Sequence, residues 1–255
     1  MDTAWENIEL FTLCFARVAA FVTLLPVIGS RTIPKQVKVG IAVLLTIFMM
    51  SIVQMPVNTR VTETLPFFLL IIKEVLVGLT LGFLTKFIFV GIQIAGEIIG
   101  VQMGFGVAKV MDPGYQSQLS LIAEFQTMIA MLIYLTISGH HFLLRGIAYS
   151  YSTIPIGTQL HTTGIAGEIT NIASGMFVSA VKIGAPVIAA LLLSNVALGI
   201  LARTVPQMNI FIVGLPLRIG VGFIALLVTM TLFVHIFSRL WVDFEHSFFA
   251  VIKLF

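Results

Sequence analysis

Long apolar runs, roughly 20 residues or more with few charges, recur along this chain, and a helix of that length crosses a hydrocarbon core of about 30 Å. No strand-like alternation, internal repeat or low-complexity tract competes with them. The fold class is therefore all-α and membrane-associated. Composition agrees: 58% of residues are hydrophobic and 10% charged, against about 25% charged in soluble domains, too little polar surface to cover a globule in water. Helices are expected over 8–27, 37–55, 66–103, 117–137, 141–152, 165–202 and 210–249, separated by stretches rich in Gly, Pro and small polar residues. Three of them exceed a plain span, the one over 66–103 reaching about 57 Å at 1.5 Å per residue. Each is expected to kink, fold into a hairpin or protrude, with Gly78, Gly91, Gly96, Pro186 and Pro216 as break points.

The first run follows the acidic "MDTAWENIE" and carries Arg17. It lacks the basic start and small-residue cleavage site of a secretory signal and reads as a retained helix. Cys14 is the single cysteine, which excludes an intramolecular disulfide and a cysteine-based metal cage. The net charge of +3 is scattered rather than blocked, so no nucleic-acid partner is expected. Arg31, Lys35 and Lys38 form the clearest basic cluster beside a span, opposite the acidic Asp2, Glu6 and Glu9. The positive-inside rule then puts that loop in the cytoplasm and the N-terminus outside.

Arg17, Lys73, Glu74, Lys86, Glu97, Glu124, Lys182, Arg203, Arg218 and Arg239 lie in or at the ends of apolar segments, where a charge facing lipid is costly. Lys86 and Glu97 are eleven residues apart and share one face of a straight helix. These charges read as ion pairs within or between subunits, or as a proton or ion pathway. Motifs of zinc hydrolases, nucleophile elbows, phosphate loops and dinucleotide folds are absent, so neither catalysis nor a cofactor is expected. The adjacent His140 and His141 diverge by about 100° on a helix and read as a helix-end cap and interface anchor.

The stretch "GEIIGVQMGFGVAKVMDPGYQSQ" concentrates the most adaptable residues. Gly96, Gly100 and Gly104 recur every fourth residue, a smooth face that a second helix can approach closely, read here as an assembly seam. Asp112-Pro113-Gly114 forces a turn, which leaves Phe105, Val107, Val110 and Met111 with no helix to bury them by periodicity. A loop bearing soft Met and Phe suits either a yielding plug or an ordinary connection folded over a helix end.

The segments "IPKQVKVGIA", "AGEIIGVQMGFG" followed by "MDP", and "NVALGILARTVPQMNIFIVGLPLRI" resemble the FliR family of flagellar export-gate proteins, whose relatives include the SctT proteins of virulence secretion. The resemblance runs over nearly the whole chain and favours the flagellar branch. It implies a non-enzymatic subunit, present once, that joins several FliP and FliQ copies in a helical hetero-oligomer at the bacterial inner membrane, with FlhB on the cytoplasmic side. Unfolded flagellar proteins would pass through the enclosed channel. It further implies a FliP-like part over 1–156, a FliQ-like hairpin over 157–255, and a plug loop over 106–117. Phe105, just before that loop, and Gly106, Val107, Val110, Met111, Asp112 and Pro113 within it are the plug residues expected, with Phe105, Val110 and Met111 chosen for their side-chain chemistry. The alternatives are a virulence homologue and a proton-coupled transporter using Lys86, Glu97 and Glu124 as a relay.

Overall fold

The computed structural model describes residues 2–30, 32–51, 53, 64–106, 120–158, 164–207 and 209–255. Its long helices are α1 (Asp2–Leu24), α2 (Lys35–Met50), α3 (Thr64–Met103), α4 (Leu121–Thr136), α5 (Gly139–Thr153), α6 (Ile165–Thr204) and α7 (Ile210–Leu254). Every one falls on an expected apolar run, and no strand occurs among the described residues. This is an all-α membrane protein. Helices α1, α3, α6 and α7 are each long and apolar enough to cross a membrane.

The expected breaks in the overlong segments do not occur. Helix α3 runs 40 residues without interruption, α6 runs 40 through Pro186, and α7 runs 45 through Pro216. A proline removes a single backbone donor, and the bonds on either side carry the helix onward. Gly78, Gly91 and Gly96 are likewise not breaks, since each is buried within α3 and is a place where another segment comes close. At 1.5 Å per residue these helices reach about 60 Å or more, roughly twice the hydrocarbon core.

The chain packs into two compact units. The first holds Met1–Ile88, Tyr134–Ala173 and Val242–Phe255, and its core is built from Cys14, Val18 and Phe21 of α1, Leu81 and Leu84 of α3, Ile147 of α5 and Phe248 of α7, all fully buried. Aromatic edges close this core, Phe142 meeting Phe244, Phe248 and Phe249 at ring separations of 6.3, 5.5 and 5.4 Å. The second unit holds Phe89–Ile133 and Ser174–Trp241. Its core joins Ile99 and Met103 of α3, Ile122 of α4, Val187 and Leu191 of α6 and Leu226 of α7.

The apolar residues do not all go inside. Phe48 on α2 is 70% exposed, Leu193 on α6 73% and Val228 on α7 76%. Side chains of this size pointing outward along whole helices mark surfaces made for lipid or for other protein.

Candidate functional site

A helix cannot hold a bare guanidinium in an apolar run unless its donors are filled. Arg17 of α1 is fully buried in the first unit, and all three of its nitrogens donate. Nε reaches Glu74 Oε2 of α3 at 2.6 Å, Nη1 reaches Ser150 Oγ of α5 at 3.2 Å, and Nη2 reaches the Ile154 carbonyl at 3.0 Å. The guanidinium also lies 4.2 Å from the centre of the Tyr151 ring, a cation–π contact. The Tyr151 hydroxyl returns to α1 by donating to the Cys14 carbonyl at 3.0 Å. One side chain thus ties α1, α3 and the α5 end together, and its ion pair closes within the chain.

The approach of α3 to α1 depends on what α3 lacks. A Cβ on Gly78 would fall inside the Arg17 carbonyl, and one on Gly82 would lie 2.7 Å from the Leu24 Cβ. Glu74, Gly78 and Gly82 follow at four-residue spacing, so one face of α3 carries the acid and the two glycines that let it reach Arg17. That face is a second small-residue seam, and its spacing was available in the sequence as a signal. Ser150, Tyr151 and the Ile154 carbonyl had no such signal, because nothing in the local pattern says which polar groups a distant arginine will meet.

The other charges are dispersed. Lys73 is half-buried, while Lys86, Glu124, Lys182, Arg203 and Arg239 are exposed. Arg218 is half-buried, and its Nε is enclosed without an acceptor. Glu97 Oε1 accepts the Ser120 backbone N–H at 2.7 Å, where a carboxylate fills an orphan donor at the start of α4 and meets the positive end of its dipole.

Gly96 and Gly100 face that same helix start. A Cβ on Gly96 would strike the Ala123 backbone, and one on Gly100 would overlap the Ser120 hydroxyl. Their close neighbour is therefore the chain's own α4. Gly104 lies just past the end of α3 with φ +100°, a left-handed conformation that glycine adopts without strain and that commonly ends a helix.

Of the expected plug residues, Phe105 and Gly106 are described. Phe105 is half-buried against the core of the second unit, which corrects the expectation that no helix buries it: the C-terminal end of α3 turns it onto that core. Val107, Val110, Met111, Asp112 and Pro113 lie outside the described residues. His140 and His141 sit at the start of α5, with rings 4.1 Å apart rather than diverging, because side-chain torsions swing neighbouring rings together. His140 Nδ1 is buried without a partner. Among the described residues no group of three or more His, Cys, Asp or Glu is placed to hold a metal.

A chain of long helices with exposed apolar faces and a buried arginine paired within the chain suits a membrane, and comparison with known proteins says of which kind. The family described as "Bacterial export proteins, family 1" matches residues 8–244. The chain belongs to this family, that of FliR. The flagellar biosynthetic protein FliR of Bacillus subtilis (strain 168) is 40% identical over 234 residues, covering 91% of this chain and 90% of its own. Its counterpart in Escherichia coli (strain K12) is 32% identical over 242 residues, 93% and 91% of the two chains. That of Aquifex aeolicus (strain VF5) is 31% identical over 247 residues, 96% and 95%. These relatives are named for flagellar biosynthesis rather than for an enzymatic reaction. With FliR relatives along nearly its whole length and helices that suit a membrane, the chain is a FliR-family membrane protein of bacterial export.

Proposed function

We propose that this chain is a structural subunit of the flagellar protein export gate, completing a channel through which unfolded flagellar proteins cross the inner membrane at the base of the flagellum. The observation that carries the reading is the 40% identity to a flagellar biosynthetic FliR over 91% of this chain. The packing supports it, since outward-facing Phe48, Leu193 and Val228 suit a body enclosed by lipid and other subunits. In this reading a single copy joins several FliP and FliQ subunits, with FlhB on the cytoplasmic side. Residues 1–156 take the FliP-like role and 157–255 the FliQ-like hairpin. The loop over 106–117 obstructs the lumen until a substrate displaces it. The chain supplies shape rather than energy, and no step of covalent chemistry is assigned to it.

The transporter alternative asked Lys86, Glu97 and Glu124 to form a relay. Glu97 instead serves as a helix-start acceptor for Ser120, while Lys86 and Glu124 are exposed. Removing the chromosomal copy of this chain tests the function directly. Rod, hook and filament proteins should still be made but accumulate inside the cell, with none in the medium; normal export from the deletion strain would overturn the proposal.

A further inference from the structure

Between α4, α6 and α7 the second unit keeps a cavity of about 20 Å³. Its wall is apolar for the most part, with Ile129 of α4, Val187 of α6 and Leu226 and Phe233 of α7 among the lining side chains. Two residues break that pattern, Gln126 of α4 and Thr229 of α7. Gln126 is 5% exposed, and its Oε1 is buried with no hydrogen-bond partner. A carboxamide oxygen is an acceptor only. Desolvated inside a protein, it stays costly until a donor reaches it.

Thr229 does not supply that donor. Its hydroxyl proton is spent on its own helix, with Oγ1 at 2.8 Å from the Ala225 carbonyl oxygen and 3.3 Å from that of Leu226. What remains to it is lone-pair capacity. The wall therefore offers two acceptors, one from α4 and one from α7, within an otherwise apolar lining. What answers both is a small neutral molecule that carries two donors. Water has two O–H donors and needs about 10–15 Å³ of such space, so the cavity admits one molecule. A hard cation does not suit this wall, since calcium takes about 6–8 oxygen ligands. An acyl chain brings no donor and would leave Gln126 Oε1 unmet.

We infer that this cavity binds one ordered water, which donates to Gln126 Oε1 and to Thr229 Oγ1 and so joins α4 to α7. The bridge gives α4 a second polar tie. The first is at its start, where Glu97 of α3 accepts the Ser120 N–H at 2.7 Å. Gln126 stands less than two turns further along. A helix fastened to α3 at one point and to α7 at the next is fixed in rotation as well as in position, which apolar contacts alone, being non-directional, do not achieve.

X-ray hydroxyl-radical footprinting of the full chain tests the inference, because radicals formed from an ordered water hydroxylate the side chains beside it even where bulk solvent does not reach. Phe233 lines the cavity at 7% exposure, whereas Phe244, at 5% exposure, lies outside it. Phe233 should be hydroxylated several-fold faster than Phe244. Gln126→Leu removes one acceptor and should bring Phe233 down to the rate of Phe244. Equal rates in the unaltered chain would overturn the inference and show a dry cavity. A fast Phe233 that Gln126→Leu leaves unchanged would overturn it too, since the radicals would then come from water that Gln126 does not hold. If the Gln126→Leu chain fails to fold, Thr229→Val decides, because it keeps the side-chain outline while removing the other acceptor. Hydroxylation of Phe233 should again fall several-fold; an unchanged rate would overturn the bridge.

Discussion

Arg17 shows why a charge persists in the first apolar run. It is fully buried with its donors filled by Glu74, Ser150 and Ile154, so its removal does more than delete a contact. Arg17→Leu strands the Glu74 carboxylate in the core, and breaking a buried pair from one side costs about 3–5 kcal/mol. We expect that loss to appear as a lower melting temperature of the detergent-solubilised chain. The double variant Arg17→Leu with Glu74→Leu should melt higher than either single one, because no uncompensated charge remains; equal or worse melting would show that the hydrogen bonds rather than the charges hold the helices. Arg17→Lys should also destabilise, since one ammonium cannot span three acceptors and a ring face. The sequence pointed to a buried charge here through its place in an apolar run. It left the partner open, because Glu74 lies 57 residues away and local pattern carries no record of such a meeting.

Helices were the most legible elements, since apolar length and Gly/Pro punctuation alone place all seven among the described residues, to within a few residues at most ends. Their continuity was harder to read. Pro186 and Pro216 are recognised breakers, yet α6 and α7 run through them, for each removes one backbone donor and the bonds on either side persist. Glycine has two distinct meanings here. Gly96 and Gly100 admit α4, so Gly96→Val should prevent α3 and α4 from seating together and sharply reduce the yield of folded protein in membranes. A methyl added at Gly199 would meet nothing within 4 Å, and Gly199→Ala should stabilise the isolated chain by about 0.5–1 kcal/mol through helix propensity. Equal damage from both substitutions, measured as folded yield and melting temperature, would remove the distinction between packed and open glycines. Spacing alone could not separate the two kinds, because it reveals a smooth face and not what meets it.

For the molecule as a whole, the pattern is a chain whose one fully buried arginine among the described residues is answered within the first unit. Arg17 is paired inside the first unit, while in the second Arg218 Nε, Ser194 Oγ and Asn195 Oδ1 are enclosed without a hydrogen-bond partner. The family was legible from the long motif between Asn195 and Ile219, whereas the roles of single charges were not, because those depend on neighbours the sequence of one chain does not contain. The plug reading belongs at this level also. Deleting 106–117 should raise small-ion leakage through membranes containing the assembled complex while leaving its composition intact; unchanged conductance in a complex of normal composition would count against it. The most direct test of the assembly claim is native mass spectrometry of the chain, purified alone and then after co-expression with its genomic neighbours. The account predicts a discrete complex holding one copy of this chain among several smaller membrane subunits. A stable, fully folded monomer or symmetric homodimer that ignores those neighbours would contradict it.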